Sequence, residues 1–513
     1  MITLKNKIIF YRLTILLIVL FKIIASASTG LFEDEAIYWN WSQSVDPSYS
    51  LTTIAAIGIF TSLFNSSDEI IIRFPALISN LFLILILYKI CFLMNIKKEK
   101  IYLTIIFFLS VPFISIYSTF ISPDSFLLLF SMISVYYFLR IIKFDSVSDW
   151  ILCGLFMGLM IMSKYNAVVF IFAGISSLVL VQKKFDRKIL YLLASLIITI
   201  QPLLIWNIIY EPVWLKYYLL SDVDKVSESL VQKSATFLMS QISLLMPAGF
   251  LMILLTAKNF FIVKNKTSQF KFLLYLSICL GLIFICFSLS GKIKGNWFFV
   301  MYIPIIITFC LFNLNKFVKA VLTIMVIFNF TLLFTLFLPT DKIELLSENV
   351  FGKYIDNTYK HYWPDYLSNA NNDKSWTERI VKMKNWKETI STIEYEIKCT
   401  KLEYDFLATD DYNLSPLLEY YFDREGDVYV VGDLKFKYIN SAEAFSKLNG
   451  KDAIMVTYSN SSEDEFRNKF EFIENIKSVK VKMSDNIYKE FNIVFCRNFL
   501  PSVSSNLRYR KFE

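Results

Sequence analysis

Four short stretches of this sequence carry groups able to do acid–base or electrostatic chemistry. Residues F32-E-D-E-A-I-Y-W-N-W-S-Q43 set Glu33, Asp34 and Glu35 directly ahead of Tyr38, Trp39 and Trp41. The run S122-P-D-S125 places Asp124 behind a proline, and S163-K-Y-N166 and G291-K-I-K-G-N-W297 carry Lys164, Lys292 and Lys294. A carboxylate can accept a proton from an attacking hydroxyl. Ammonium groups can neutralise a phosphate leaving group as its charge develops. Together they suit group transfer from a phosphate-bound carrier to a hydroxyl, which a channel does not require. Each also has a plainer use. Asp124 suits a helix N-cap, Trp39 and Trp41 suit an interfacial aromatic belt, and lysines at the ends of apolar spans snorkel to headgroups.

The elements that must position these groups are membrane helices. The chain has 513 residues, 55% of them hydrophobic and 19% charged, with a mean hydropathy of +0.50. One or two soluble cores cannot hide that much Phe, Ile and Leu. The single histidine, His361, excludes histidine-rich metal sites and a serine–histidine triad in the membrane part. No glycine-rich phosphate loop occurs. The net charge of +8 does not indicate nucleic acid, because the basic residues fall in small clusters between apolar runs.

A crossing helix needs about 20 apolar residues. That length predicts spans near 7–28, 70–93, 101–120, 125–143, 149–163, 166–182, 189–209, 237–257, 271–289, 297–313 and 317–338, about eleven in all. Residues 51–64 are apolar but too short to cross, and read as a helix lying along the interface. Lys and Arg gather in alternate connections, whereas Ser28–Ser50 has none, which predicts N-in/C-out topology. Asp34, Asp124, Lys164, Lys292 and Lys294 then fall on one face, the outer one. The organisation expected is a membrane domain over 1–339, with a first outer loop at 29–69, and a soluble α/β domain over 340–513. In the latter, V428–V431, A453–T457 and F491–C496 read as strands, and W386–I397 and E463–I476 as amphipathic helices. Cys399 and Cys496 read as buried free thiols, with a disulfide as the alternative.

The run D34-E-A-I-Y-W-N-W-S-Q43 resembles the first-loop signature of the dolichyl-phosphate-mannose–protein mannosyltransferase-like superfamily, membrane glycosyltransferases of the GT-C fold. The resemblance is to its bacterial branch, with the undecaprenyl-phosphate aminoarabinose–lipid A transferases. The likeness continues in order through I72-R-F-P75, S122-P-D-S-F126, G158–N166, Q201-P-L-L-I-W-N207 and K294-G-N-W297. It covers nearly the whole membrane part.

The resemblance implies a polyprenyl-phosphate sugar donor and inversion at the anomeric carbon. It implies a multi-pass protein of the bacterial inner membrane with its C-terminal domain in the periplasm. Asp34 matches the family's catalytic aspartate, with Glu35 beside it, and Asp124 matches the second functional acid. Lys164, Lys292 and Lys294 fall where the family places basic residues near the carrier phosphate. Tyr38, Trp39, Trp41, Tyr165, Asn296 and Trp297 would line the substrate cleft. One departure matters: where relatives carry an aspartate–histidine–proline–proline stretch, this chain has L51-T-T-I54. No histidine-built metal site is expected, while a carboxylate-held divalent cation at Asp34 and Asp124 stays open. Lipid A or lipopolysaccharide, another glycan and, less readily, protein all offer acceptor groups. A flippase for a lipid-linked sugar and a non-catalytic glycolipid-binding relative are the alternatives.

Overall fold

The computed structural model of the protein describes residues 4–44, 49–209, 230–262, 267–289, 295–311, 315–335, 337–346, 378, 381–422, 428–431, 446–459 and 466–500. The chain opens with α1 (Leu4–Ser28), α2 (Glu33–Ser44), α3 (Leu51–Phe64), α4 (Glu69–Leu93), α5 (Lys98–Ser110) and α6 (Pro112–Tyr117). It continues with α7 (Pro123–Phe144), α8 (Val147–Ser163), α9 (Ala167–Gln182), α10 (Ile189–Ile209), α11 (Leu230–Ile262) and α12 (Ser268–Leu289). After a 3-10 turn at Gly295–Met301 come α13 (Tyr302–Thr308) and α14 (Lys316–Thr335). Two compact units result: Met1–Ser28 with Pro47–Leu336, and Thr29–Asp46 with Phe337–Glu513. The helix bearing Asp34 and Glu35, α2, therefore groups with the C-terminal residues.

Among the described residues of the first unit, six segments are long and apolar enough to cross a membrane: Lys5–Ser28, Glu69–Leu93, Pro123–Phe144, Ile189–Ile209, Ser268–Cys286 and Lys316–Thr335. The remaining expected spans are short or interrupted. The span expected at 101–120 is split between α5 and α6, with Val111 in extended backbone. The span expected at 237–257 breaks inside α11 at Met246. Both breaks fall one residue before a proline, Pro112 and Pro247. That position is pushed out of the helical region, and proline itself lacks the N–H that would continue the ladder. The span expected at 297–313 divides into the 3-10 turn, α13 and a second 3-10 turn at Phe309–Leu311. The interfacial stretch 51–64 is helical as α3.

Helices α8 and α10 approach unusually closely. A Cβ on Gly154 would lie 2.1 Å from the carbonyl oxygen of Leu192, and one on Gly158 would lie 2.5 Å from Thr199 Cβ. Such small-xxx-small spacing lets membrane helices gain dispersion energy from backbone contact. The contact fixes the height of α8, whose last residue, Ser163, precedes Lys164. Gly154→Ala is expected to cost about 1–3 kcal/mol through overpacking, read as a lower melting temperature of the detergent-purified chain. Unchanged melting would show that α10 yields freely.

In the second unit, α2 is followed along the chain by α15 (Thr340–Leu346), α16 (Trp386–Thr400), β1 (Phe406–Thr409), α17 (Leu414–Tyr421), β2 (Val428–Val430), β3 (Ala453–Tyr458), β4 (Phe470–Lys482) and β5 (Tyr488–Phe499). The sheet order is β2-β1-β3-β5-β4. The first three strands are parallel and β5 is antiparallel to both neighbours. Phe406, Met455, Phe470, Val494 and Phe499 build its core.

One expectation fails here. Of the amphipathic helix expected over E463–I476, the described residues 466–476 are not α-helical: a 3-10 turn at Arg467–Lys469 leads into β4. The spacing misled because β4 is an edge strand with a register shift between Asn475 and Lys477. Its more buried side chains therefore recur every third residue, at Phe470, Ile473, Ile476 and Val479, close to a helical period. Cys399 and Cys496 are free thiols as expected, but Cys399 is exposed and Cys496 alone is buried.

Candidate active site

Asp124 is set by the local chemistry of S122-P-D-S125. The Ser122 N–H donates to Ser125 Oγ at 3.1 Å, half of a reciprocal cap that makes Ser122 the N-cap of α7. Pro123 occupies the first helical turn without wasting a donor. Asp124 is thereby relieved of capping. Its carboxylate instead takes both its oxygens to Lys164 Nζ, at 2.8 and 3.0 Å. Both residues are only 5% exposed. Lys164 sits in extended backbone just past α8, so a side chain from each of two helix ends meets in one buried ion pair.

The surroundings are polar and tied together. Thr52 Oγ1 and Ser163 Oγ share a hydrogen bond of 2.7 Å, linking the start of α3 to the residue before Lys164. Thr52 belongs to the L51-T-T-I54 stretch, so hydroxyls stand where the resemblance led one to expect an acid and a histidine. Tyr165 packs at a tilt against Tyr49, with ring centroids 6.2 Å apart. Both polar atoms of the Asn166 amide are buried and make no hydrogen bond among the described residues. Such orphaned groups carry a desolvation cost of about 1–3 kcal/mol, which a bound hydroxyl would offset.

Two buried basic side chains brace the segment ahead of Asp124. Lys22, fully buried in α1, donates to Ser118 Oγ at 2.6 Å and lies 3.5 Å from Asn80 Oδ1. Arg73, fully buried in α4, donates to the Ser26 carbonyl at 2.8 Å and covers the Phe120 ring at 4.9 Å. Lys22 escaped the sequence reading, although a lysine inside an apolar run was the available signal.

Asp34 and Glu35 lie in the other unit, in the first turn of α2 with Glu33. Three acids there interact favourably with the positive end of the helix dipole. Asp34 is exposed, whereas Glu35 is 2% exposed and accepts the Phe32 N–H at 3.2 Å. Trp41 packs edge-on against Tyr38 at 5.7 Å, and Trp39 packs edge-on against Tyr420 at 4.8 Å. Trp297 lies half-buried in the 3-10 turn and packs on the membrane core. Lys292, Lys294 and the Asn296 side chain lie outside the described residues, as does His361. Thus the structure brings Asp124, Lys164 and Tyr165 together, and holds Asp34, Glu35, Tyr38, Trp39 and Trp41 on one separate helix. Among the described residues no three potential metal-ligating side chains cluster.

Comparison with known proteins agrees with the motifs. Residues 50–206 match the family described as dolichyl-phosphate-mannose-protein mannosyltransferase. The fold is similar to the crystal structure of ArnT from Cupriavidus metallidurans bound to undecaprenyl phosphate. That likeness has a TM-score of 0.62 at 13% identity and covers 96% of this chain and 98% of that one. A lesser likeness is to the oligosaccharyltransferase AglB from Archaeoglobus fulgidus, solved with an inhibitory peptide and a dolichol-phosphate. It has a TM-score of 0.45 at 12% identity, over 87% of this chain and 69% of that one. No curated protein sequence matches the chain significantly. The family match and the ArnT-like fold thus bear out the resemblance that the motifs carry, and the expected fold of apolar helices able to cross a membrane with a small C-terminal sheet domain.

Proposed function

We propose that this chain is an inverting glycosyltransferase that moves a sugar from a polyprenyl-phosphate donor to a hydroxyl or phosphate acceptor at the periplasmic face of a bacterial inner membrane. The buried Asp124–Lys164 pair, within the segment that matches the family, is the observation that carries the reading. A buried ion pair is a poor investment in stability alone, but it holds an ammonium ready for an anion. In the reaction, the bond from anomeric carbon to phosphate oxygen breaks and the acceptor oxygen forms the new bond on the opposite side. Asp34 accepts the acceptor's proton. Lys164, oriented by Asp124, stabilises the charge growing on the departing phosphate, with Lys292 and Lys294 assigned the same task. The resemblance assigns Tyr38, Trp39, Trp41, Tyr165, Asn296 and Trp297 to the substrate cleft, and the Asn166 amide offers a donor and an acceptor to the sugar's hydroxyls. Undecaprenyl phosphate is the carrier proposed, and a lipid or glycan, such as lipopolysaccharide, the acceptor.

The test uses the purified chain in liposomes with an undecaprenyl-phosphate-linked sugar extracted from cells that lack the protein. Release of undecaprenyl phosphate together with a glycosylated product supports the proposal. Movement of the carrier across the bilayer with no product supports the flippase alternative, which the interrupted helices at Val111 and Met246 favour. Mass spectrometry of glycolipids from cells with and without the protein identifies the acceptor.

Transfer is expected to continue in EDTA. A divalent cation at Asp124 would have to displace Lys164 from both oxygens. Loss of activity in EDTA that added magnesium or zinc restores would reverse that assignment.

A further inference from the structure

Asp34 is carried by α2, and α2 is held by the C-terminal domain. The hydroxyl of Tyr421, the last residue of α17, accepts the Leu31 N–H at 2.7 Å. Gly30 lies against the same hydroxyl, so that a Cβ added there would stand 2.9 Å from Tyr421 Oη and 3.8 Å from its Cζ. Further along, Trp39 meets Tyr420 edge-on, and Tyr420 meets Tyr421 edge-on at 4.6 Å. The bracket is itself rigid. Asp411 accepts the Asn413 and Leu414 N–H groups at 2.7 and 3.0 Å where α17 begins. Ser415 Oγ donates to the Val428 carbonyl of β2 at 2.9 Å. Leu414, Leu417 and Leu418 are fully buried, so α17 is fixed by its own domain before it touches α2.

We infer that Tyr421 is a positioning residue for Asp34, and that the C-terminal domain serves catalysis by setting the entry point of α2. This rests on the reading of Asp34 as the base. Only Phe32 and Glu33 separate Leu31 from Asp34. The Ala36 N–H already donates to the Phe32 carbonyl at 3.0 Å, so helix geometry begins at once and leaves no slack. A shift of Leu31 is therefore passed to the carboxylate, and displacement of a catalytic group by about 1 Å can cost 10²-fold in rate.

The experiment compares wild type, Tyr421→Phe, Gly30→Ala, their double variant and Asp34→Asn, all as the full chain in liposomes. The probe is the extracted undecaprenyl-phosphate-linked sugar. Tyr421→Phe is expected to lower kcat about three- to tenfold, the range of one lost hydrogen bond, with KM for the donor unchanged. Gly30→Ala is expected to lower kcat in the wild-type background and to add no further loss in Tyr421→Phe, where the nearest atom is an ordinary contact. Hydrogen exchange of the peptide spanning residues 30–44 is expected to quicken in Tyr421→Phe. Wild-type kcat and unchanged exchange in Tyr421→Phe, with Asp34→Asn inactive, would overturn the positioning role and leave the base assignment standing. An equal loss from Gly30→Ala in both backgrounds also counts against the role. Wild-type turnover in Asp34→Asn overturns the base assignment, and the positioning role falls with it.

Discussion

Asp34→Asn is expected to lower sugar transfer by about 10²–10⁴-fold, the range that a positioned general base contributes. The variant should insert and melt nearly as wild type does, because Asp34 is exposed in the first turn of α2 and asparagine is of the same size. The amide keeps the size and loses only the ability to take the acceptor's proton. Glu35→Gln is the informative partner. Glu35 is buried and its Oε2 accepts the Phe32 N–H, a bond that a glutamine oxygen can still accept. Its loss of rate should therefore be much the smaller. Turnover and KM for the donor, measured in liposomes, separate the two. Equal losses would mean that the first turn of α2 acts as one charged cluster.

The second large effect concerns Lys164. Lys164→Met should reduce transfer by about 10²–10³-fold, as expected when one preorganised electrostatic donor is lost. It also strands Asp124 as a buried carboxylate without its cation, which costs about 3–5 kcal/mol in stability. A low rate in this variant alone is thus ambiguous. The double variant Asp124→Leu/Lys164→Met resolves it, since replacing a buried ion pair by apolar groups of similar volume is often neutral or better. Recovery of the melting temperature without recovery of transfer assigns the pair to chemistry. Recovery of both would make it a structural strut.

Much of the membrane part could be read directly from the residues. Long apolar runs became helices because hydrocarbon leaves the backbone no other way to satisfy its polar groups. What runs of Phe, Ile and Leu do not encode is where those helices break, since every window is apolar. Pro112 and Pro247 were the legible signs, and a break preceded each. In the C-terminal unit, Val428–Val430 and Ala453–Tyr458 announced themselves by β-branched runs, while Phe406–Thr409 and Leu414–Tyr421 were too short to register. Asp124 and Lys164 could each be flagged as charges at span ends, yet not as partners. Forty residues separate them, and only the way α7 and α8 pack closes that gap. Likewise, nothing near Gly30 announces that a tyrosine from the far end of the chain will rest on it.

The tie between Leu31 and Tyr421 spans 390 residues, and it sets an order of assembly. At synthesis rates of about 5–20 residues per second, α2 waits roughly 20–80 seconds for its partner across those 390 residues. Throughout that interval the membrane helices can insert and pack, but the carboxylate assigned as base has no fixed seat. Full activity would then belong to finished chains alone, and a nascent or truncated copy that lacks Tyr421 is expected to transfer more slowly.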